Sequence, residues 1–447
     1  MNFNNFTDLM NEKKYKELKL ELENSEVADI AEFMDNMEEK NSLLVFRLLP
    51  KEIASDVFSY LSIEKQAEIS DLVKEEELRD ILDDLYFDDK LDLLEEMPAN
   101  VVKKILKNTT DFERKLINQF LKYPQNSSGS IMTIEYVDLK KEMLVVDSLE
   151  RIRNTAPDKE TIYTCYVVDS QRHLEGTISL KELVLAHRDT KIKDIMHNDP
   201  IFATTNDDQE YVADIFKKYD LLALPIVDNE KRLVGIVTID DIVDVIEAEN
   251  TEDFYRMAAV EPTQEEYINA GIFTLARKRI VWLLVLMISA TFTGYIIRSF
   301  EDTLQSVVVL AAFIPMLMDT GGNSGAQAST LVIRSIVLGE VTFNDILKIV
   351  WKEFRISCLV GVVLATLNFL RIYFLEGYPL PIASTVAVTL FFTVIIAKVI
   401  GGVLPLFAKR LKLDPAIMAS PLITTIVDAL ALVIYFYFAI WFIGLSN

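Results

Sequence analysis

Cysteine is almost missing: two in 447 residues, Cys165 and Cys358, which excludes a disulfide framework and a thiolate metal centre. Histidine is as sparse, with His173, His187 and His197 all in the first half, so soft and borderline metals lack their preferred ligands near the apolar C-terminal part. No basic stretch followed by an apolar one opens "MNFNNFTDLMNEKKY", so no secretory leader is expected and insertion would rely on later helices. Positive charge is scarce where it would serve nucleic acid. After residue 270 there are 13 basic and 9 acidic residues, leaving 32 against 59, or −27, for residues 1–270. That half repels phosphate backbones and suits multivalent cations.

What is present is organised in blocks. Residues 1–128 read as an acidic helical-repeat domain: apolar residues recur at three- and four-residue spacing, and "LLPKEIASDVFSYL" from Leu48 returns as "EEMPANVVKKILKN" from Glu95, with Pro50 and Pro98 opening a helix in each copy. Residues 129–248 change to a strand–turn–strand–helix pattern, and "CYVVDSQRHLEGTISLKEL" aligns with "LPIVDNEKRLVGIVTIDDI" at an offset of 59, setting Asp169 on Asp228 and Gly176 on Gly235. The segments "SIMTIEYVDL" and "DIMHNDPIFA" open the two copies. This α/β block resembles a tandem CBS pair. Residues 249–276 read as an acidic connecting helix, a spacer or a lever between sensor and membrane.

Residues 277–447 predict an all-α transmembrane domain of five spans, about 280–297, 303–333 with an interruption, 356–375, 380–408 and 415–445. Basic residues flank alternate ends (277–279; Arg334, Lys348, Lys352 and Arg355; Lys409, Arg410 and Lys412), which predicts a cytosolic N-terminal module and an outside C-terminus. Three ionisable residues are expected at depth: Asp319, Lys398 and Asp428. Each costs on the order of 2.5–3.5 kcal/mol at a helix centre and so needs a compensating role. Thr424 and Thr425 lie one turn from Asp428. For Lys398 the sequence offers no partner; it snorkels or neutralises an aspartate, and a structural role is expected. The stretch "MDTGGNSGAQAST" predicts a helix opened at Gly321, Gly322 and Gly325, with freed carbonyls, Asn323, Gln327, Ser329 and Thr330 as oxygen ligands; a small-residue helix contact is the alternative. One or two carboxylates with amides and hydroxyls suit a hydrated Mg²⁺ better than a many-ligand Ca²⁺ cage.

The order helical repeat, CBS pair, acidic helix, then "GGNSGAQASTLVIRSIVLGEV" and "LDPAIMASPLITTIVDALALVIYF" resembles the MgtE family of magnesium channels over nearly the whole chain. The resemblance implies a homodimer in the cell membrane, with no enzymatic activity, taking up Mg²⁺ through a pore lined by spans two and five. Asp428, Asp319, Asn323, Gly321, Gly322, Thr424 and Thr425 are the pore candidates. It also implies a gate that closes when cytosolic Mg²⁺ binds acidic residues, here Asp88, Asp89, Asp208, Glu210, Asp220, Asp241, Asp244, Glu252, Asp253 and Asp414. Thr238 and Asp241 resemble the contacts by which CBS pairs hold adenine nucleotides, so ATP is a candidate ligand.

The chain departs from the family pattern in three places: Ala326 and Ser420 stand where some relatives carry Asn, and Asp319 where others have Gly. Asp319 is therefore expected to supply charge near the pore in place of those amides. Against these readings stand a proton- or sodium-coupled divalent-cation (Mg²⁺, Co²⁺ or Mn²⁺) transporter, a CBS-gated anion channel, and an intramembrane aspartyl protease. The last requires GxGD and PAL elements, and the sequence has "MDTGG" and "IVDAL" instead.

Overall fold

Helix starts near the N-terminus recur every 12 residues: Glu26, Glu38, Pro50, Ser62, Lys74 and Tyr86 each precede a helix of 9 or 10 residues. The core obeys the same step, since Phe33, Val45, Val57, Ile69, Ile81 and Leu93 are all buried, as are Leu49, Leu61, Val73, Leu85 and Met97. Each such side chain contributes roughly 1.5–3 kcal/mol by leaving water. Val27–Asp35 packs on Lys51–Ser59, Glu39–Leu48 on Ile63–Leu72, and Lys51–Ser59 on Glu75–Asp84, so these helices stack on their next-but-one neighbours. The repeat seen in sequence from Pro50 to Pro98 is the fourth multiple of this step. Pro98 itself lies outside the described residues. A computed structural model describes residues 3–97, 101, 102, 106, 109–263, 267, 268, 270–418 and 420–444, and the chain divides into two units, Met1–Ile246 and Glu247–Asn447.

Two three-stranded sheets complete the first unit. In one, β1 (Asp138–Leu139) runs parallel to β2 (Thr164–Val168), which pairs antiparallel with β3 (Leu174–Ser179); in the other, β4 (Ala203–Thr204), β5 (Ala223–Val227) and β6 (Leu233–Thr238) repeat the arrangement. The predicted equivalence holds in detail. The Asp169 carboxylate accepts from the Gln171 and His173 N–H groups, and Asp228 accepts from Glu230 and Arg232 in the same turn. A Cβ on Gly176 would sit 2.5 Å from the His197 carbonyl, and one on Gly235 2.6 Å from that of Thr133, so both positions require glycine. Each leading segment ends as a strand of its own copy, at Asp138–Leu139 and Ala203–Thr204, and on the way touches the other: Thr133 bridges Ile236 of the second sheet and His197 bridges Thr177 of the first.

The second unit is all-helical. The acidic helix Ile239–Met257 that leads into it is shorter than the sequence suggests and stops before Ala259, which has φ +54°. Five long helices follow residue 270: the first, Ile272–Ser299; the second, Ile314–Val337; the third, Ile346–Leu370; the fourth, Leu380–Arg410; and the fifth, Ser420–Ile443. Among the described residues four helical stretches are long and apolar enough to cross a membrane, and the second helix is not one of them. Its "DTGGNSGAQAST" lowers its hydropathy. The fourth helix is the hub, packed on the second, third and fifth. Its most apolar stretch has 56% of its residues buried against 6% for the first helix, which packs on the fifth.

Candidate functional site

The glycine stretch does not open the helix. Residues 314–337 are continuously α-helical, and the irregular turn lies earlier, at Val308–Phe313, where the Tyr435 hydroxyl donates to the Leu310 carbonyl at 2.9 Å. The glycines act by close approach: a Cβ on Gly321 would meet Thr393 at 2.7 Å, on Gly322 Thr424 at 2.8 Å, and on Gly325 Ile423 at 2.6 Å, while one on Gly401 would overlap the Gly325 carbonyl. The small-residue contact is thus the reading the structure bears out, and the helix keeps its carbonyls.

This seam fixes which groups face outward. Asp319, Asn323 and Gln327, four residues apart, form an exposed stripe on a helix whose other face is buried. The Asn323 amide donates to the Asp319 carboxylate at 3.1 Å, leaving its own oxygen free to accept. Asp319 lies close enough for its charge to act on half-buried Asp428 of the fifth helix. Thr424 and Thr425 both donate to the Pro421 carbonyl, at 2.8 and 3.0 Å, so they reach any ligand only through their lone pairs. Gly321 and Gly322 are buried in the seam and expose no carbonyl through helix opening. The side chain of Ser420 lies outside the described residues.

In the first unit, six carboxylates converge. Ligand oxygens of Asp88, Glu135 and Glu160 lie within 4.8 Å of one another, and Asp89, Asp240 and Asp241 are near enough for their charges to act on this group. Glu135 is positioned by the Phe87 N–H at 3.2 Å, and one Glu160 oxygen has no hydrogen-bond partner. Burial, then the charge of Asp241, holds the Asp88 carboxyl well above the usual range. Burial, then Asp240 and Asp241, pushes Glu160 up to about 8. Burial raises Asp241 to about 7 against the Thr238 hydroxyl bond that pulls it down, and raises Asp89 to about 6, with Glu135 adding to the effect.

The remaining sensor candidates separate. In the second unit Arg256 bridges Glu252 and Asp414 through short ion pairs, closing a loop of 158 residues, and Asp253 feels the charges of Arg256 and Arg334. Burial raises the Asp253 carboxyl. Asp208 caps the helix Gln209–Tyr219 by accepting from the Glu210 N–H at 2.9 Å, and Asp220 ends that helix with φ +50°. These two have local structural tasks. Asp208, Glu210, Asp220 and Asp244 are exposed and stand outside the six-carboxylate cluster as drawn.

Family models match three parts of the chain: the MgtE divalent cation transporter model residues 314–438, the MgtE intracellular N domain residues 25–126, and the CBS domain residues 192–248. The magnesium transporter MgtE of Thermus thermophilus is 36% identical over 420 residues, covering 93% of this chain and 92% of that protein. The chain belongs to the MgtE family. The magnesium transporter MgtE of Bacillus subtilis is 32% identical over 437 residues, 94% of this chain and 96% of its own. Among solved structures, the cytosolic domain of the Mg²⁺ channel MgtE in complex with ATP aligns with TM-score 0.51 and 36% identity, covering 54% of this chain and 98% of that one. The soluble part of a magnesium transporter aligns with TM-score 0.52 and 30% identity, covering 55% and 97%.

Sequence reading missed Glu135, Glu160 and Asp240, which stand far from Asp88 along the chain and carry no signal beyond general acidity. It also placed Glu353 in a loop. The third helix begins at Ile346, so Glu353 lies inside it, 8% exposed, with its Cγ 3.2 Å from where a Cβ on Gly402 would be. Thr238 donates to Asp241 at 2.9 Å, so the pair chosen as a nucleotide contact is tied together and shares the field of the acidic cluster.

Proposed function

We propose that the chain is a homodimeric Mg²⁺ uptake channel of the cell membrane, with five spans, its N-terminal and CBS domains cytosolic and its C-terminus outside. The observation that carries this is the stripe Asp319–Asn323–Gln327 beside Asp428, on a face that no helix of the same chain covers. A carboxylate and two amides on an uncovered face are incompatible with lipid and require water or a second protein chain. A hydrated divalent ion fits two carboxylates in mutual repulsion with the Asn323 oxygen and the lone pairs of Thr424 and Thr425 beside them.

The regulatory reading rests on the cluster around Asp88, Glu135, Glu160 and Asp241. Carboxyls held up to about 7 and 8 resist joint ionisation at neutral pH, and a bound Mg²⁺ relieves that repulsion. Cytosolic Mg²⁺ would then favour the assembled, closed form, and its loss would loosen the domains and open the pore. Glu252, Asp253 and Asp414 belong to the same reading through the connecting helix, with Arg256 as the resident cation. ATP at Thr238 and Asp241 is supported by the relative's ATP-bound cytosolic domain, and it competes with Mg²⁺ for Asp241. Proton- or sodium-coupled transport is the second reading, since a half-buried membrane aspartate such as Asp428 also serves as a proton carrier. The test is Mg²⁺ flux into liposomes for wild type and Asp428→Ala with inside Mg²⁺ varied. Loss of flux in the variant and suppression by inside Mg²⁺ in wild type are expected. Unaltered flux refutes the pore, indifference to inside Mg²⁺ refutes the gate, and flux that drives a pH or Na⁺ gradient favours the coupled reading.

A further inference from the structure

Lys398 is the one charged side chain of the fourth helix interior, and it neither snorkels nor meets an aspartate. It is 5% exposed, and 12 residues, or about 18 Å of helix, separate it from the helix end at Arg410, beyond the reach of a lysine stem. Its ammonium points to the second helix and donates to the Gln327 side-chain oxygen at 3.4 Å. An ammonium can only donate, so this contact fixes the amide orientation: oxygen inward to Lys398, NH₂ outward to the uncovered face. On the other side, the charge of Lys398 acts on Glu353 of the third helix, which packs against Gly402, one turn along from Lys398.

The stripe is therefore polarised. At Asp319 it ends in acceptors, and at Gln327, eight residues or about 12 Å inward, it ends in N–H donors backed by a buried cation. We infer that Lys398 is a specificity-determining residue of the ion path: a fixed positive charge, within the field of Glu353 and relayed by Gln327, that limits how tightly a divalent cation is held at the Asp319 and Asp428 end. The inference rests on the stripe facing that path. Taking about 12 Å and an effective dielectric constant of about 40 to 80, one unit charge changes the binding of a divalent ion by about threefold to tenfold.

The test is Mg²⁺ flux into liposomes against outside Mg²⁺ for the full chain and three variants. Lys398→Gln removes the charge and leaves a shorter, neutral N–H donor, and half-saturating Mg²⁺ falls by about threefold to tenfold with maximal flux changed less. Glu353→Gln removes the counter-charge, and half-saturation shifts the opposite way. Lys398→Arg retains the wild-type value. A merely structural lysine lowers the yield of folded protein without shifting half-saturation in opposite senses. The inference is overturned if both neutral variants stay within about twofold of wild type or move in the same direction. Should Lys398→Gln fail to fold, the rise expected of Glu353→Gln alone decides. Undiminished flux in Asp428→Asn, measured alongside, would instead remove the ion path on which the inference rests.

Discussion

Replacing Asp241 by Asn removes a charge that the fold resists while keeping an acceptor for the Thr238 hydroxyl. Burial raises the Asp241 carboxyl from an ordinary 3.8 to about 7. Between those values the folded chain holds a proton that the unfolded chain has released, so stability falls as pH rises from about 4 to about 7 and stays lowest above that window. Each pH unit across it is worth about 1.4 kcal/mol, so ionised Asp241 destabilises the fold by about 4 kcal/mol at pH 8. Asn escapes this. In thermal unfolding of the detergent-solubilised full chain with a chelator present, the transition of the first unit should lie higher in Asp241→Asn than in wild type at pH 8, and the gain should shrink to under about 1 kcal/mol near pH 4. Saturating Mg²⁺ at pH 8 should close the gap from the other side, by stabilising wild type more than the variant. A gain of equal size at pH 4 and pH 8 would show that charge is not the cause, and a loss at pH 8 would refute the account of the cluster.

Two further outcomes follow from the membrane unit. Gly401→Ala places a methyl group on the Gly325 carbonyl and should cost about 1–3 kcal/mol of stability through overpacking; thermal unfolding in detergent checks it, with Gly294→Ala, which meets nothing within 4 Å, as the neutral control. Asp319→Gly removes the charge acting on Asp428. Weaker half-saturation by Mg²⁺, by a factor on the order of threefold to tenfold, is expected in liposome flux, and unchanged affinity and selectivity would dismiss Asp319 from the ion's field.

The sequence made the CBS pair legible because two copies 59 residues apart repeat the same turn chemistry, Asp169 with Asp228 and Gly176 with Gly235. The cross-bridges from their leading segments, Thr133 to Ile236 and His197 to Thr177, were not legible, since pairing between distant segments leaves no local period. The helical repeat was seen only at its fourth multiple: a 12-residue step is carried by single buried positions such as Phe33, Val45 and Val57, whose identities differ although their burial does not. In the membrane unit the polar residues were readable and their geometry was not. A glycine run predicts an opened helix or a close contact equally well until the neighbour is known, and here Thr393, Ile423, Thr424 and Gly401 decide it. Glu353 was lost because the charges around it, Lys352 and Arg355, made the first turns of the third helix read as a loop. The acidic cluster required carboxylates from four separate segments to meet, which only the tertiary fold supplies.

Arg256 makes the order of mechanical connection differ from the order of the chain. In sequence, the connecting helix hands over to the first long helix, and the fifth comes last. Through the pairs with Glu252 and Asp414, the end of the connecting helix is instead clamped to the segment entering the fifth helix, 14 residues before Asp428. The link between the connecting helix and the aspartate-bearing helix therefore runs through a side chain as well as along the backbone. The first helix packs on the same fifth helix, so the aspartate-bearing helix is held by both the first long helix and, through Arg256, the end of the connecting helix.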